Sequence, residues 1–362
     1  MNRLNYVDAL RGIAIMLVVF VHSSASFPPG LLTTLSHFGQ FGVQLFFLVS
    51  AFTLSVASDH ARLNRQTYLA FMVRRFFRIA PLYYLALAGY YFFSQMSERI
   101  AGQTPFLPTT EYTISKVLAN LLFLHGFYPD ANNSIVPGGW SIATEFSFYA
   151  IFPFIFQLSK KWRVGFLLIA VPAFAGLLLM LFAARLTGRL GEGGNNSFPF
   201  YNLFNQMPVF LLGILLYHFR ANLNFRRTLK IAALPAALLL VAVFDTKWGW
   251  LVTPLLAGIT FCGLAVIVEN RVHGSWLCRL GELSFSIYLA HFAVAWTVVP
   301  QIRRLDAIFA PDLVAVLSYV GVLTMTIALA TVLHHSIERH FIARGRRLSA
   351  RVIASTQVRL VR

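Results

Sequence analysis

Charged residues are scarce in this 362-residue chain. Asp, Glu, Lys and Arg together supply 12% of it, whereas a soluble domain carries about 25%. Hydrophobic residues supply 57%, and only lipid can cover so much hydrocarbon on the outside of a folded chain. The composition therefore excludes an ordinary water-soluble enzyme and predicts an integral membrane protein.

Cysteine is scarce as well. Cys262 and Cys278 are far apart in the chain and lie within or beside apolar stretches. Two thiols so placed can form neither a disulfide framework nor a zinc site, and we predict no bound metal.

Apolar runs long enough to cross a bilayer as helices occur about ten times. In lipid every backbone N–H and C=O needs an internal partner, so runs of this length are predicted to be helices. Strands of a membrane barrel would be about half as long and would alternate in polarity. The predicted fold class is all-α, a polytopic protein. The predicted spans are 9–27, 38–58, 76–95, 140–158, 163–184, 200–220, 229–245, 249–268, 283–301 and 313–335.

Basic residues far outnumber acidic ones, 30 against 13, and their placement predicts the topology. With a cytoplasmic N-terminus, about 23 of the 30 fall in segments on the inner side, as the positive-inside rule requires. Both termini are therefore predicted to face the cytoplasm, in a multi-pass protein of the cytoplasmic (inner) membrane. Because the charge excess is first a topology signal, we predict no nucleic-acid partner.

The longest outer connection, about 96–139, is rich in turn residues and includes an apolar run at 114–127 that is too short to span. We expect this run to be an outer-face or re-entrant helix and the connection to be a candidate acceptor site. A Gly-rich run at 191–196 is expected to be mobile. Residues 1–340 are predicted to form the transmembrane domain, and 341–362 a basic cytoplasmic tail lying on anionic lipid head groups.

A cleaved signal peptide is the competing interpretation of residues 1–26, because Arg3 and an apolar run precede small residues. Polar side chains within that run argue against cleavage. Arg11 and His22 are separated by three helical turns plus about 20°, so both lie on one helix face, about 16 Å apart along the axis. Asp8 joins that face. A packed His beside an interfacial Arg is the simpler interpretation of such a pair alone, but ionisable groups within a membrane are functional candidates.

The fourth span carries a second polar stripe. Ser141, Glu145 and Tyr149 are spaced at i, i+4 and i+8, which places a hydroxyl, a carboxylate and a phenol on one helix face. Counted from opposite sides of the membrane, Glu145 and His22 fall at similar depth. We therefore predict that the carboxylate lies beside the imidazole and fixes its tautomer, as a general base requires. The alternative is a buried Glu paired with an unrelated Arg.

Arg74, Arg75 and Arg78 stand at the start of the third span. Three guanidinium groups in this position suit a polyanion such as a nucleotide phosphate, although topology anchoring is the simpler interpretation of the charge alone. Arg11 lies at the same membrane face. A phosphate group held there could send a slim arm through the bundle toward His22.

Other polar residues give weaker signals. His291 is expected to be a satisfied polar contact between helices. His334, His335 and Glu338 could hold a metal in principle, but they lie at the inner interface with no evident further partner.

Five motifs follow one another along residues 1–340. They are Tyr6-Val7-Asp8-Ala9-Leu10-Arg11-Gly12 with His22; Gly42 to Ser50; Arg74-Arg75 through Arg78 to Tyr83; Trp140-Ser141 with Glu145, Phe148-Tyr149 and Pro153; and Ser286 to His291. In content and order they resemble the acyltransferase-3 family of membrane-bound O-acyltransferases. The chain departs from that family at Ala51, where Gly is usual, and at His340, where Pro is common. Ala51 implies a slightly wider helix contact.

The resemblance implies an enzyme that moves an acyl group, with acetyl favoured, from cytoplasmic acyl-CoA to a hydroxyl of an extracytoplasmic glycan or glycolipid. O-acetylation of a polysaccharide or lipopolysaccharide is such a reaction. Acyl-CoA, with acetyl-CoA favoured, would be a donor substrate, and no cofactor would be bound permanently.

The resemblance also implies roles for the polar residues. His22 would act as a general base or as a nucleophile that carries the acyl group, and Glu145 would orient it. The donor phosphates would lie at Arg11, Arg74, Arg75 and Arg78. The acceptor or oxyanion would lie at Trp140, Ser141 and Tyr149.

Two other classes use similar residues. A proton-coupled secondary transporter also buries His, Glu and Arg, but we find no repeated halves between 1–160 and 200–340. A structural membrane scaffold would leave the aligned Arg11, His22 and Glu145 unexplained.

Overall fold

The computed structural model describes residues 4–24, 27–60, 62–101, 111–188, 197–269, 271–272 and 276–359. Within these ranges the chain forms helices joined by turns and contains no strand, which confirms the predicted all-α class. In chain order the helices are α1 (Asn5–Ser24), α2 (Leu31–Ser36), α3 (Gly42–Ala57), α4 (Arg65–Ala101), α5 (Ile114–Leu121), α6 (Gly139–Lys161), α7 (Ala170–Leu186), α8 (Phe198–Tyr201), α9 (Leu203–His218), α10 (Leu223–Val243), α11 (Gly249–Val268), α12 (Trp276–Ile302), α13 (Pro311–Leu333) and α14 (Arg339–Arg359).

Eight helical segments in the described part of the chain are long and apolar enough to cross a membrane. Each of them contains most of one predicted span, so a multi-pass helical protein is confirmed. The other predicted spans, 76–95 and 229–245, lie in α4 and α10, which carry several basic residues in their first halves and are therefore less apolar. The number of spans and the side of the membrane on which the termini lie stay predictions.

The first helix is in contact with α3, α12 and α13. Glycines bring it against α12. A Cβ at Gly12 would lie 2.2 Å from the carbonyl oxygen of Leu277, and a Cβ at Gly281 would lie 1.8 Å from that of Asp8. The two helices therefore touch backbone to backbone, as small residues allow in membrane proteins.

Ala51, one of the departures from the family pattern, is fully buried in α3. It faces Gly213 of α9, where an added Cβ would lie 2.9 Å from the Cβ of Ala51 and 2.5 Å from the carbonyl oxygen of Leu48. The glycine on the facing helix supplies the room that Ala51 takes up, and the helices pack closely at this point.

The apolar run at 114–127 forms α5 and a 3-10 turn at His125–Phe127. With eight residues, α5 is too short to cross a bilayer, which confirms that this run is not a span. Residues 102–110 of the same connection, and the Gly-rich run at 191–196, lie outside the described residues.

The basic segment near the C-terminus is helical. The last span, α13, leads into α14 through a π-helical turn at His334–Glu338. α14 packs closely on α4, since a Cβ at Gly345 would lie 2.6 Å from the Cβ of Phe77. The described part of this segment is thus a packed helix. The domain division at residue 340 and the contact with lipid head groups stay predictions, and residues 360–362 lie outside the described part.

Candidate active site

A cavity lies between α1, α3, α4, α6 and α12, with about 680 Å³ of empty space, open solvent at its mouth included. Arginines occupy the end predicted to face the cytoplasm, called the inner end below, and hydroxyls occupy the opposite, outer end. The polar lining consists of Arg11, Ser50, Thr53, Arg75, Arg78, Ser141, Glu145, Tyr149, Ser284 and Tyr288. The apolar lining consists of Val43, Phe46, Phe47, Ile79, Ile142 and Phe285.

Arg11 is fixed at the inner end by two neighbours. Its Nη1 donates to Asp8 Oδ1 at 3.2 Å, and its Nη2 donates to Thr53 Oγ1 at 3.3 Å. Asp8 is one turn earlier on α1, as the sequence predicted, and Thr53 comes from α3. The guanidinium is therefore oriented across the helix interface while its charge stays at the cavity wall.

Arg75 is held by rings. Its guanidinium carbon lies 5.3 Å from the centre of the Phe71 ring and 5.4 Å from that of Tyr149, within cation–π range. The buried Nε of Arg75 has no hydrogen-bond partner in the described part of the protein. A held guanidinium with a free donor suits an anion.

The predicted cluster of three arginines is divided. Arg75 and Arg78 line the cavity, but Arg74 lines a neighbouring hollow together with Arg62 and Ile353 of α14. Helix geometry separates Arg74 from Arg75, because consecutive residues of a helix point about 100° apart.

Glu145 occupies the middle of the cavity and is bound by two hydroxyls. Ser50 donates to Glu145 Oε1 at 2.6 Å, and the Tyr149 hydroxyl donates to the same oxygen. Ser50 Oγ and the Tyr149 oxygen are themselves 3.1 Å apart. The predicted stripe of Ser141, Glu145 and Tyr149 does face one site, and α3 contributes Ser50, a partner that the spacing on α6 could not reveal.

The outer end of the lining is formed by Ser141 and Tyr288, whose hydroxyls are 2.7 Å apart. The Tyr288 hydroxyl also donates to the carbonyl oxygen of Gly138 at 2.9 Å. Gly138 has a φ of +73°, a left-handed conformation that favours glycine, and a Cβ there would meet the Tyr288 hydroxyl. The turn before α6 is thus shaped around Tyr288.

His22 is not part of the cavity lining and does not contact Glu145. It lies in the last turn of α1, exposed on one side, and its Nδ1 is 3.1 Å from Nε2 of His291, which is fully buried. The predicted pairing of His22 with Glu145 is therefore wrong. The similar depth of His22 and Glu145 gave only their positions along the membrane normal. It did not predict which helix packs against the His22 side of α1, and that helix is α12.

Trp140 also lies away from the cavity lining. Its ring is buried, with centroids 4.4 Å from Tyr201 in a stacked arrangement and 6.0 Å from Phe47 edge to face. Trp140 was predicted to contact substrate, but in the structure its ring packs between α3 and α8.

Sequence reasoning missed Tyr288 and the partnership of His291. Tyr288 lines the cavity with its side chain, and its carbonyl oxygen is 2.7 Å from His291 Nδ1. The sequence did contain a signal for both residues: a Tyr and a His three residues apart in a predicted span lie on one helix face.

His334 and Glu338, which the sequence analysis set aside as metal ligands, contact each other. His334 Nδ1 is 2.9 Å from Glu338 Oε2, and Ser286 donates to the same oxygen at 2.7 Å. Among the described residues there is no group of three His, Cys, Asp or Glu that could hold a metal ion.

Comparison with known proteins gives one family. A family model described as an acyltransferase domain matches residues 4–335. The chain is 27% identical to the exopolysaccharide production protein ExoZ of Rhizobium meliloti (strain 1021), over 71% of this chain and 77% of that protein. It is 26% identical to acyltransferase MdmB of Streptomyces mycarofaciens, over 71% of this chain and 68% of that protein.

A third relative, from Staphylococcus aureus (strain COL), is provisionally named as an O-acetyltransferase. The identity is 20%, over 94% of this chain, and the chain spans 57% of the length of that relative. No solved structure matches the chain.

Proposed function

The chain belongs to the acyltransferase-3 family, and we propose that it transfers an acyl group, with acetyl favoured, from acyl-CoA at the inner face to a carbohydrate hydroxyl at the outer face. The cavity is the observation that carries this proposal. It has Arg11, Arg75 and Arg78 at one end and Ser141 and Tyr288 at the other, with a histidine pair one helical turn beyond Tyr288.

The arginines would hold the phosphates of acyl-CoA. Arg75 and Arg78 share a helix face and can offer several N–H donors, and guanidinium groups bind phosphate oxygens in this way. Arg11 uses two of its donors on Asp8 and Thr53 and adds positive charge to the same end.

The middle of the cavity suits the pantetheine arm, which is slim and carries two amides. Phe46 and Phe47 offer apolar walls, and Glu145 offers a carboxylate that can accept from an amide N–H. Ser50 and Tyr149 fix the position of that carboxylate. In this proposal Glu145 binds the donor and does not orient His22.

The transfer itself would occur at His22. As a general base, the imidazole takes the proton of the sugar hydroxyl while the sugar oxygen bonds to the acyl carbon and the C–S bond breaks; the proton then passes to the thiolate of CoA. As a nucleophile, the imidazole nitrogen bonds to the acyl carbon as the C–S bond breaks; the sugar oxygen then bonds to the acyl carbon as the C–N bond breaks, and the sugar hydroxyl proton passes to the thiolate of CoA. In both routes Ser141 would donate to the developing oxyanion.

The acceptor proposed is a glycan or glycolipid. The name of the Rhizobium relative, a protein of exopolysaccharide production, supports a polysaccharide. A hollow between α5 and the turns that follow it is lined mostly by aliphatic side chains, and among them Lys116, Tyr128 and Asp130 could contact a sugar. This hollow belongs to the outer connection that the sequence indicated as an acceptor site.

The experiment uses membranes that contain the native protein, His22→Ala or His335→Ala at matched abundance, with labelled acetyl-CoA. His335 is exposed and contacts the carbonyl of Thr331 in its own helix, so its variant serves as the control. We expect label in glycan with the native and control proteins and none with His22→Ala. Undiminished transfer by His22→Ala would exclude His22, and no transfer by the native protein would exclude the assigned donor or acceptor.

A further inference from the structure

Two histidines from different helices form a short hydrogen-bonded chain at the outer side of the bundle. The carbonyl oxygen of Tyr288 is 2.7 Å from Nδ1 of His291, and Nε2 of His291 is 3.1 Å from Nδ1 of His22. Both ring nitrogens of His291 are therefore engaged, one with a backbone carbonyl and one with the other imidazole.

The proton positions in this chain follow from the chemistry of its first member. A carbonyl oxygen can only accept a hydrogen bond, so Nδ1 of His291 carries a proton. A neutral imidazole has one N–H, which leaves Nε2 of His291 as an acceptor. Nδ1 of His22 must then be the donor, and Nε2 of His22 keeps its lone pair.

We propose that His291 is a positioning residue, which holds His22 in the tautomer whose Nε2 reacts. This inference rests on the proposed function of His22 and assigns to His291 the role that the sequence had suggested for Glu145. In metal sites and hydrolases alike, the group bonded to one imidazole nitrogen decides what the other nitrogen can do.

The surroundings also fix the two rings in space. The Phe292 ring lies 4.2 Å, centre to centre, from both imidazoles. The end of α1 is tied to α13 as well, since Ser318 donates to the carbonyl oxygen of Ser23 at 2.9 Å. His22 is thus held by α12 on one side and by the anchored end of its own helix.

In the transfer, the bonds that form and break are those given for His22 above, with Nε2 as the reacting nitrogen. His291 exchanges no proton with substrate. When His22 gains a proton or an acyl group at Nε2 it becomes a cation, and the neutral acceptor at His291 stabilises its remaining N–H.

A pair of conservative variants tests the role. The amide of Gln reaches the position of the imidazole Nε2 and can accept from His22, whereas the amide of Asn reaches only the position of Nδ1 and satisfies the Tyr288 carbonyl alone. Both are polar and neutral. His291→Phe, which removes both contacts, is the third variant, and His335→Phe is the control.

We expect kcat to fall by about 100-fold or more in His291→Asn and His291→Phe, the range of a lost general-base function. His291→Gln should keep kcat within about tenfold, and the KM for acetyl-CoA should change by less than about threefold in all of them, because the donor site is elsewhere. Initial rates are measured in membranes at matched abundance of folded protein.

Equal losses in the Gln and Asn variants would indicate a merely structural role and would overturn the inference, as would native kcat in His291→Asn. His22→Ala in the same series separates the two proposals. If His22→Ala retains transfer, the proposed function of His22 fails. If it abolishes transfer while His291→Asn does not, only the inference about His291 fails.

Discussion

Arg75 offers the most direct test of the donor site. Two rings hold its guanidinium, at 5.3 Å and 5.4 Å, and its buried Nε has no hydrogen-bond partner among the described residues. Replacing Arg75 by Met keeps an unbranched stem that can lie along Phe71 and Tyr149 and removes the charge and the donors. The change therefore isolates the contact with an anion from most of the packing.

The expected size follows from the hydrogen bonds that are lost. A hydrogen bond to a charged group contributes about 1.5–3 kcal/mol. At about 1.4 kcal/mol for each tenfold change, loss of one such bond to a phosphate should raise the KM for acetyl-CoA by about 10- to 100-fold. The phosphates do not react, so kcat should stay within about threefold.

The assay is the initial rate of label transfer from acetyl-CoA to glycan, in membranes with matched amounts of protein. Arg227→Met, at an exposed position of α10, is the control. Arg74→Met should raise KM by less than about threefold, since Arg74 faces a different hollow. An unchanged KM in Arg75→Met, or an equal rise in the Arg74 and Arg75 variants, would refute the cavity as the donor site.

Three further predictions follow from the same geometry. Glu145→Gln keeps an acceptor for Ser50 and Tyr149, so it should raise the KM for acetyl-CoA by about 3- to 10-fold and leave kcat nearly unchanged. A fall in kcat with an unchanged KM would instead indicate that the Glu145 carboxylate acts in the chemical step. Gly281→Ala places a Cβ 1.8 Å from a carbonyl oxygen of α1 and should lower the apparent Tm of the purified protein by several degrees, whereas Gly89→Ala, with no atom within 4 Å, should not. The pKa of Asp59, in the connection after α3, is held below its usual value by a hydrogen bond from Tyr217. The stabilisation from this contact is therefore present above the usual pKa and lost as the pH falls through the lowered one, and Asp59→Asn should flatten the acid side of a plot of apparent Tm against pH.

The fold class was predictable because it depends on run length and composition. Helix ends were less so. The ninth predicted span begins at residue 283, but α12 begins at Trp276, and the third begins at 76, but α4 begins at Arg65. Apolar length measures contact with hydrocarbon, whereas a helix continues through polar residues at the interface as long as its backbone bonds are formed.

The site was predictable where it depends on one helix and unpredictable where two helices meet. Spacing alone placed Ser141, Glu145 and Tyr149 on one face. The same rule, applied to α4, would have separated Arg74 from Arg75, because neighbours on a helix do not share a face. The partner of His22 could not be obtained in this way, because it depends on how α1 packs against α12. In that contact, Gly12 and Gly281 let the two backbones touch, and spacing along one helix does not predict it.

Tyr288 connects the cavity with the histidine pair through two different parts of one residue. Its hydroxyl lies at the outer end of the cavity, bonded to Ser141 and to the Gly138 carbonyl, and its own carbonyl oxygen accepts from His291. In the proposed function, a thioester that travels from the cavity to His22 would pass the Tyr288 hydroxyl. Rotation of the side chain moves that hydroxyl but leaves the carbonyl in place, because the carbonyl belongs to the helix backbone. In the proposed reaction the hydroxyl could therefore move aside for the donor arm, while the hydrogen bond from His291 to the Tyr288 carbonyl, on which the proposed orientation of His22 depends, would stay intact.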